Sequence, residues 1–222
     1  MAVRENPTYR VLRLVATLTV RPLFRLRIEG AEHVPRQGPV LIASNHLSTL
    51  DPIVLAYGLP RPVAFVAKAE LFRMPVLAWL LPRIYAIPLE RGAGDLSAVK
   101  AAIRALRQGL AFGIFPEGTR SRDGRLQPFK TGAAAIAART GARVVPAAVI
   151  GSEKAWPVGK GPRPFVPVTV RYGPPLEFGG LGLDKRSLEA ATRELERAVA
   201  ALLPPEYLLQ GSYPKPEQPP GG

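Results

Sequence analysis

Five short apolar runs recur along the chain, at residues 39–43, 63–67, 84–89, 111–115 and 143–150, and amphipathic or small-residue stretches separate them. Each run has the length of a strand and most of the intervals are long enough for a helix. Strands joined through helices return in the same direction across a sheet face, so the strands are parallel and both faces are covered. The alternation therefore predicts an α/β fold, a mixed, largely parallel sheet flanked by helices. Residues 97–110 read as the clearest helix, with Val99, Ile103, Leu106 and Leu110 on one face. Residues 132–138 read as a small-residue helix, 167–172 as a last strand and 188–203 as a closing helix. The expected organisation is a basic N-terminal segment at 1–27, one α/β domain at 28–203, and a proline-rich, disordered tail at 204–222.

Composition removes several classes of chemistry. A chain of 222 residues buries roughly 70% of its unfolded surface without help from a metal or a disulfide. It has no cysteine, which excludes disulfides, thiolate metal sites and thiol nucleophiles. Its only histidines, His33 and His46, are too few for a multi-histidine metal site, so no metal is expected. The net charge of +13 directs the surface toward anions: nucleic acid, phosphorylated metabolites or acidic lipid headgroups. Aromatic residues make up only 7% and are scattered, so no stacking platform for single strands is visible. A basic nucleic-acid-binding domain is the alternative from another class, and charge alone supports it.

The N-terminal segment interleaves Val11, Leu12, Leu14, Val15, Leu18, Leu23 and Phe24 with Arg10, Arg13, Arg21 and Arg25. It is too short and too charged for a spanning helix and lacks the cleavage pattern of a signal peptide. It reads as a basic helix lying on a surface, either an anionic membrane or the body of the protein itself.

Three polar clusters follow predicted strands: residues 45–51, Glu90-Arg91, and residues 117–121. The carboxyl ends of parallel strands lie on one edge of a sheet, and ligands bind along that edge, so the clusters are candidates for one cleft. His46 and Asp51 can meet if the histidine lies in the loop and Asp51 in the first helical turn, with Pro52 behind it. A carboxylate on Nδ1–H would fix the tautomer and leave Nε2 as a base; alternatively Asp51 is only a helix cap. The Phe115-Pro116-Glu117-Gly118-Thr119-Arg120-Ser121 run combines a tight turn with an arginine fork and can cradle a phosphate, or be a polar turn.

In order and spacing, Asn45-His46-x-x-x-x-Asp51, the strand ending in Arg91, residues 115–121, and Val144-Val145-Pro146-Ala147-Ala148 resemble the four motif blocks of the glycerolipid acyltransferases. The nearest resemblance is to the bacterial 1-acylglycerol-3-phosphate acyltransferases. Lys68-x-Glu70-Leu71 and Phe129-Lys130-x-Gly132 are also similar, and the likeness runs from about residue 25 to about 175. The resemblance implies acyl transfer from an acyl-CoA or acyl-carrier-protein thioester to the free hydroxyl of 1-acylglycerol 3-phosphate. No cofactor is implied beyond the donor. By the same likeness His46 is the base, Asp51 its orienter and Lys68 the steadier of the oxyanion. Asn45, Arg91, Glu117, Gly118, Thr119 and Arg120 fall in substrate-binding blocks, and Pro146 shapes the pocket wall. The implied partners are a lysophospholipid acceptor and an anionic membrane surface at the cytoplasmic face of the cell membrane, with no nucleic acid. Glu90 before the arginine, after Pro88 and Leu89, departs from the usual second block. It leaves glycerol 3-phosphate or another lysophospholipid open as acceptor, and donor type, chain length and oligomeric state are not encoded in any motif.

Overall fold

The structure, a computed structural model, describes residues 6–59, 61–90 and 94–209. Helix α1 (Pro7–Leu23) leads into β1 (Arg27–Glu29) and β2 (Val40–Ser44). Then α2 (Asp51–Ala56) precedes β3 (Val63–Lys68), α3 (Pro75–Arg83) precedes β4 (Ala86–Leu89), and α4 (Gly94–Arg107) precedes β5 (Ala111–Ile114). Helix α5 (Gly132–Thr140) precedes β6 (Arg143–Ile150), and α6 (Ser152–Ala155), β7 (Thr169–Tyr172), β8 (Leu176–Glu177) and α7 (Lys185–Leu202) follow.

The strands form one sheet in the order β1-β7-β6-β2-β5-β3-β4, with β8 also on β6. Strand β2 pairs in parallel with β5 and β6, and β3 in parallel with β4 and β5. Only β7 and β8 run against β6, and β1 runs parallel to β7. This is the mixed, largely parallel sheet that the alternation of runs predicts.

Successive side chains of a strand point to opposite faces, so both faces of β2 and β6 must be apolar. Leu41, Ala43, Val144 and Ala148 join Leu106, Ile136, Leu195 and Val199 beneath α4, α5 and α7. Val40, Ile42, Val145 and Val149 join Val54, Leu55, Phe24 and Tyr172 on the other face. The central strands are thereby fixed in register, and with them the ends from which the loops depart.

The two ends of the chain need separate description. Asn6 caps α1 through its Oδ1, which accepts Tyr9 N–H at 2.7 Å. One side of α1 touches the body through Tyr9, Ala16 and Val20. The other leaves Val11, Leu14, Val15 and Leu18 exposed at i, i+3, i+4 and i+7, so the helix carries two apolar sides. At the other end the fold does not stop at Pro204: Pro205–Tyr207 form a helical turn and Tyr207 is buried. Its hydroxyl donates to Glu153 Oε1 at 2.9 Å, and its carbonyl accepts Leu126 N–H at 2.8 Å. A disordered tail starting at Pro204 is thus corrected through residue 209, and residues 210–222 lie outside the described residues.

Candidate active site

The loop between β2 and α2 opens at the carboxyl-end edge of the sheet, between β5 and β6 on either side. His46 lies at its start with a side chain 17% exposed, and its Nδ1 is 2.8 Å from Asp51 Oδ2. An ionised carboxylate only accepts, so Nδ1–H donates and the lone pair of the imidazole resides on Nε2. The same oxygen accepts Leu47 N–H at 2.6 Å and Ser48 N–H at 2.8 Å. Asp51 therefore does not cap α2 forward, as its place before Pro52 suggested. It reaches back, curls the loop on itself and fixes the ring. Its Oδ1 is buried with no hydrogen-bond partner, which leaves a strong acceptor beside the imidazole.

The turn after β5 holds the same histidine from the other side. His46 N–H donates to Glu117 Oε1 at 2.7 Å, and His46 carbonyl accepts Ser121 N–H at 2.8 Å. The Phe115 ring stacks on the imidazole with centroids 3.9 Å apart and planes 14° from parallel. Phe65 backs Phe115 at 6.0 Å. That second ring fits only because residue 113 is glycine: a Cβ there would lie 2.0 Å from Phe65. Backbone, one ring nitrogen and one ring face of His46 are all fixed, and Nε2 is left for chemistry.

Glu117 is 5% exposed, and burial pushes its carboxyl up to about 8 although N–H bonds from His46 and Gln127 oppose the shift. The Gln127 N–H reaches Oε2 at 3.3 Å. Both oxygens are thus engaged inside the protein, where Glu117 frames the His46 loop. Asn45 is also engaged with main chain. It is 1% exposed, its Nδ2 donates to Val149 carbonyl at 2.9 Å and its Oδ1 accepts Val149 N–H at 2.8 Å. It prolongs the β2–β6 ladder by one side-chain step. Pro146 lies inside β6 opposite Ala43, three residues short of Val149 and packed toward Gly173.

Other expected residues do line the edge. Gly118 turns the chain at φ +75°, and a Cβ there would meet Lys130 Nζ at 2.9 Å, so this ammonium rests over the turn. Thr119 is exposed beside it. Arg120 donates from Nη1 to Thr49 Oγ1 at 2.9 Å, which brings its guanidinium to the His46 loop. Lys68 stands exposed at the carboxyl end of β3, beyond β5 from His46. Arg91 lies outside the described residues. Thr49 and Phe115 were not assigned roles by the sequence reading. Both sit inside recognised blocks, and only the packing reveals that one holds Arg120 and the other the imidazole. Among the described residues no group of acidic and histidine side chains could hold a metal ion.

A cation, a ring nitrogen that can take a proton, and a fixed loop on one edge suit the deprotonation of a hydroxyl carried by an anion. A family model described as Acyltransferase matches residues 25–150. A chloroplast 1-acyl-sn-glycerol-3-phosphate acyltransferase of Arabidopsis thaliana is 36% identical over 67% of this chain and 42% of its own. A 1-acyl-sn-glycerol-3-phosphate acyltransferase of Bacillus subtilis is 35% identical over 57% of this chain and 63% of its own. The match thus spans less than two thirds of either relative. The crystal structure of the 1-acyl-sn-glycerophosphate acyltransferase of Thermotoga maritima superposes with a TM-score of 0.64 at 31% identity, covering 80% of this chain and 71% of that one.

Proposed function

The chain belongs to the acyltransferase family, and from that premise we propose that it moves an acyl group from acyl-CoA or acyl-carrier protein to the sn-2 hydroxyl of 1-acylglycerol 3-phosphate, forming phosphatidic acid. The names of its relatives support the acceptor, and the 2.8 Å bond between His46 Nδ1 and Asp51 carries the mechanism. The hydroxyl oxygen attacks the thioester carbonyl while Nε2 takes its proton, and Asp51 stabilises the imidazolium. The tetrahedral intermediate collapses with loss of the thiolate, which recovers the proton from the imidazolium. A thioester is already activated, so the step needs no metal and no covalent enzyme intermediate. Arg120, held by Thr49 beside the base, takes the phosphate. Lys68, exposed at the carboxyl end of β3, is assigned to the developing oxyanion.

Helix α1 supplies the lipid contact in this reading. Its exposed Val11, Leu14 and Leu18 lie on a helix with no acidic residue and with Arg10 and Arg21 exposed. No helix among the described residues is long and apolar enough to cross a membrane. Peripheral attachment to the cytoplasmic face, with basic groups near anionic headgroups at ~1 kcal/mol each, is the arrangement that brings acceptor and donor together.

The test is to incubate purified protein with acyl-CoA and lysophosphatidic acid, glycerol 3-phosphate or lysophosphatidylcholine, and to identify the product by mass. Phosphatidic acid should form fastest. Arg120→Ala should lower kcat/KM for lysophosphatidic acid by ~10- to 100-fold and for lysophosphatidylcholine much less. Equal rates on all acceptors, with equal losses in the variant, would contradict a phosphate-reading arginine.

A further inference from the structure

Outside α1, and apart from Trp79 in the middle of α3 with Arg83 over its ring, exposed large apolar side chains gather mostly on one edge of the sheet. Ile53, Met74, Val76 and Leu96 lie in the first turns of α2, α3 and α4 or just before them, so each follows the carboxyl end of a parallel strand. Val158 and Phe165 belong to the connection from β6 to β7, which leaves the same edge. Leu183, just before α7, is the exposed apolar residue at the opposite edge.

The connection at 156–167 is built to present its side chains. Trp156 Nε1 donates to Lys160 carbonyl at 3.0 Å, and Arg163 N–H donates to Ala155 carbonyl at 2.7 Å. Phe165 adopts φ +65°, a left-handed conformation that a bulky L residue rarely occupies, yet the residue is 62% exposed. Its N–H donates to Leu23 carbonyl at 2.5 Å, which joins the loop to the last turn of α1. No acidic residue occurs between Glu153 and Glu177, while Lys160 and Arg163 flank the apolar tips.

We propose that the 156–167 loop is a second lipid-contacting element, in which Phe165 and Val158 enter the interface of an anionic bilayer while Lys160 and Arg163 meet its headgroups. The proposal rests on the peripheral-membrane reading of α1 and extends it. Loop and helix are continuous through the Phe165–Leu23 bond, and together they set the carboxyl-end edge, with His46, against the membrane. An acidic carrier protein would also meet the charges, but the exposed Phe165 and the attachment of the loop to the last turn of α1 favour lipid.

The chain has no cysteine, so single-cysteine variants accept one environment-sensitive fluorophore without interference. Phe165→Cys, Val158→Cys and, as control, Leu183→Cys would be labelled and mixed with vesicles of phosphatidylglycerol and phosphatidylcholine, then with vesicles carrying nitroxide lipid. Labels at 165 and 158 should brighten and be quenched by the nitroxide, and the label at 183 should do neither. Phe165→Gly should bind vesicles ~3- to 10-fold more weakly in sedimentation yet melt no lower than wild type, because glycine adopts this backbone freely. Vesicle-bound protein whose label at 165 behaves like that at 183 would overturn the loop contact and leave α1 as the sole anchor. A label that answers to acyl-carrier protein and not to vesicles would overturn it in favour of a protein partner. Failure of the whole chain to sediment would overturn both lipid contacts, while continued turnover of dispersed lysophosphatidic acid would keep the acyl-transfer reading intact.

Discussion

At the amino-end edge of the sheet Arg61, 6% exposed, donates to the carbonyls of Pro35, Gly38 and Gly109 at 2.6–3.1 Å; at the carboxyl-end edge Asp51 and Glu117 accept the N–H groups of the His46 loop. Both edges bury ionisable side chains and satisfy them largely with backbone. Arg61 staples the segments that lead into β2, β3 and β5, and it does so through main-chain carbonyls. The carboxylates staple a loop as well, but the object they hold is a ring with an unengaged nitrogen. The difference teaches that burial of charge does not mark an active site. What marks it is a rigid frame that leaves one reactive valence directed outward.

That contrast can be broken most forcefully by exchanging effects between the edges. His46→Ala should lower turnover by about 10³-fold or more while the melting temperature stays near wild type. Arg61→Met should do the reverse: three carbonyls lose a charged donor, stability falls by ~3 kcal/mol, and turnover per folded molecule is kept. Assaying activity and thermal unfolding on both variants checks the pair. A stable Arg61→Met enzyme, or an active His46→Ala one, would erase the distinction.

Glu117 gives a smaller effect with a definite sign. Its carboxyl titrates at about 8 in the fold against an ordinary value of 4.5, so between these pH values the folded state binds more proton than the unfolded chain. Its contribution to stability is therefore fully present below 4.5 and is lost as pH rises toward 8, with a slope of at most ~1.4 kcal/mol per pH unit. Glu117→Gln cannot ionise, and its unfolding free energy by denaturant titration should be flatter across that window. An unchanged slope would mean that Glu117 is ionised in the native frame at neutral pH.

The smallest expected effect belongs to Phe115. Phe115→Leu keeps an apolar contact but removes the face against which the imidazole is stacked, and should lower kcat by ~10-fold with little change in KM. Phe115→Tyr should restore most of it. A loss confined to KM would assign the ring to substrate binding instead.

Much of this was legible in the sequence, for identifiable reasons. Residues 143–150 are a strand in both the sequence and the structure because the apolar run that follows Arg143, buried on both faces, leaves few alternatives. His46 and Asp51 could be paired because a strand end and a Pro-led helix start bracket a loop of fixed length. The sequence shows that Asn45 and Glu117 are polar but not which way they face, and in the fold both face inward onto main chain. The stack of Phe65, Phe115 and His46 brings together three loop and strand residues far apart in the chain, so no local pattern could announce it. Strand β8 and helix α6, at two and four residues, are too short to express a period.

The central claim is that His46 and Asp51 act as one unit at the carboxyl-end edge, and a double-mutant cycle on kcat/KM with lysophosphatidic acid and acyl-CoA tests it most directly. Asp51→Asn should cost ~10²-fold or more in the wild-type background and no more than about threefold once His46 is alanine. If the two losses multiply instead, the carboxylate does not work through the imidazole, and the base dyad is contradicted.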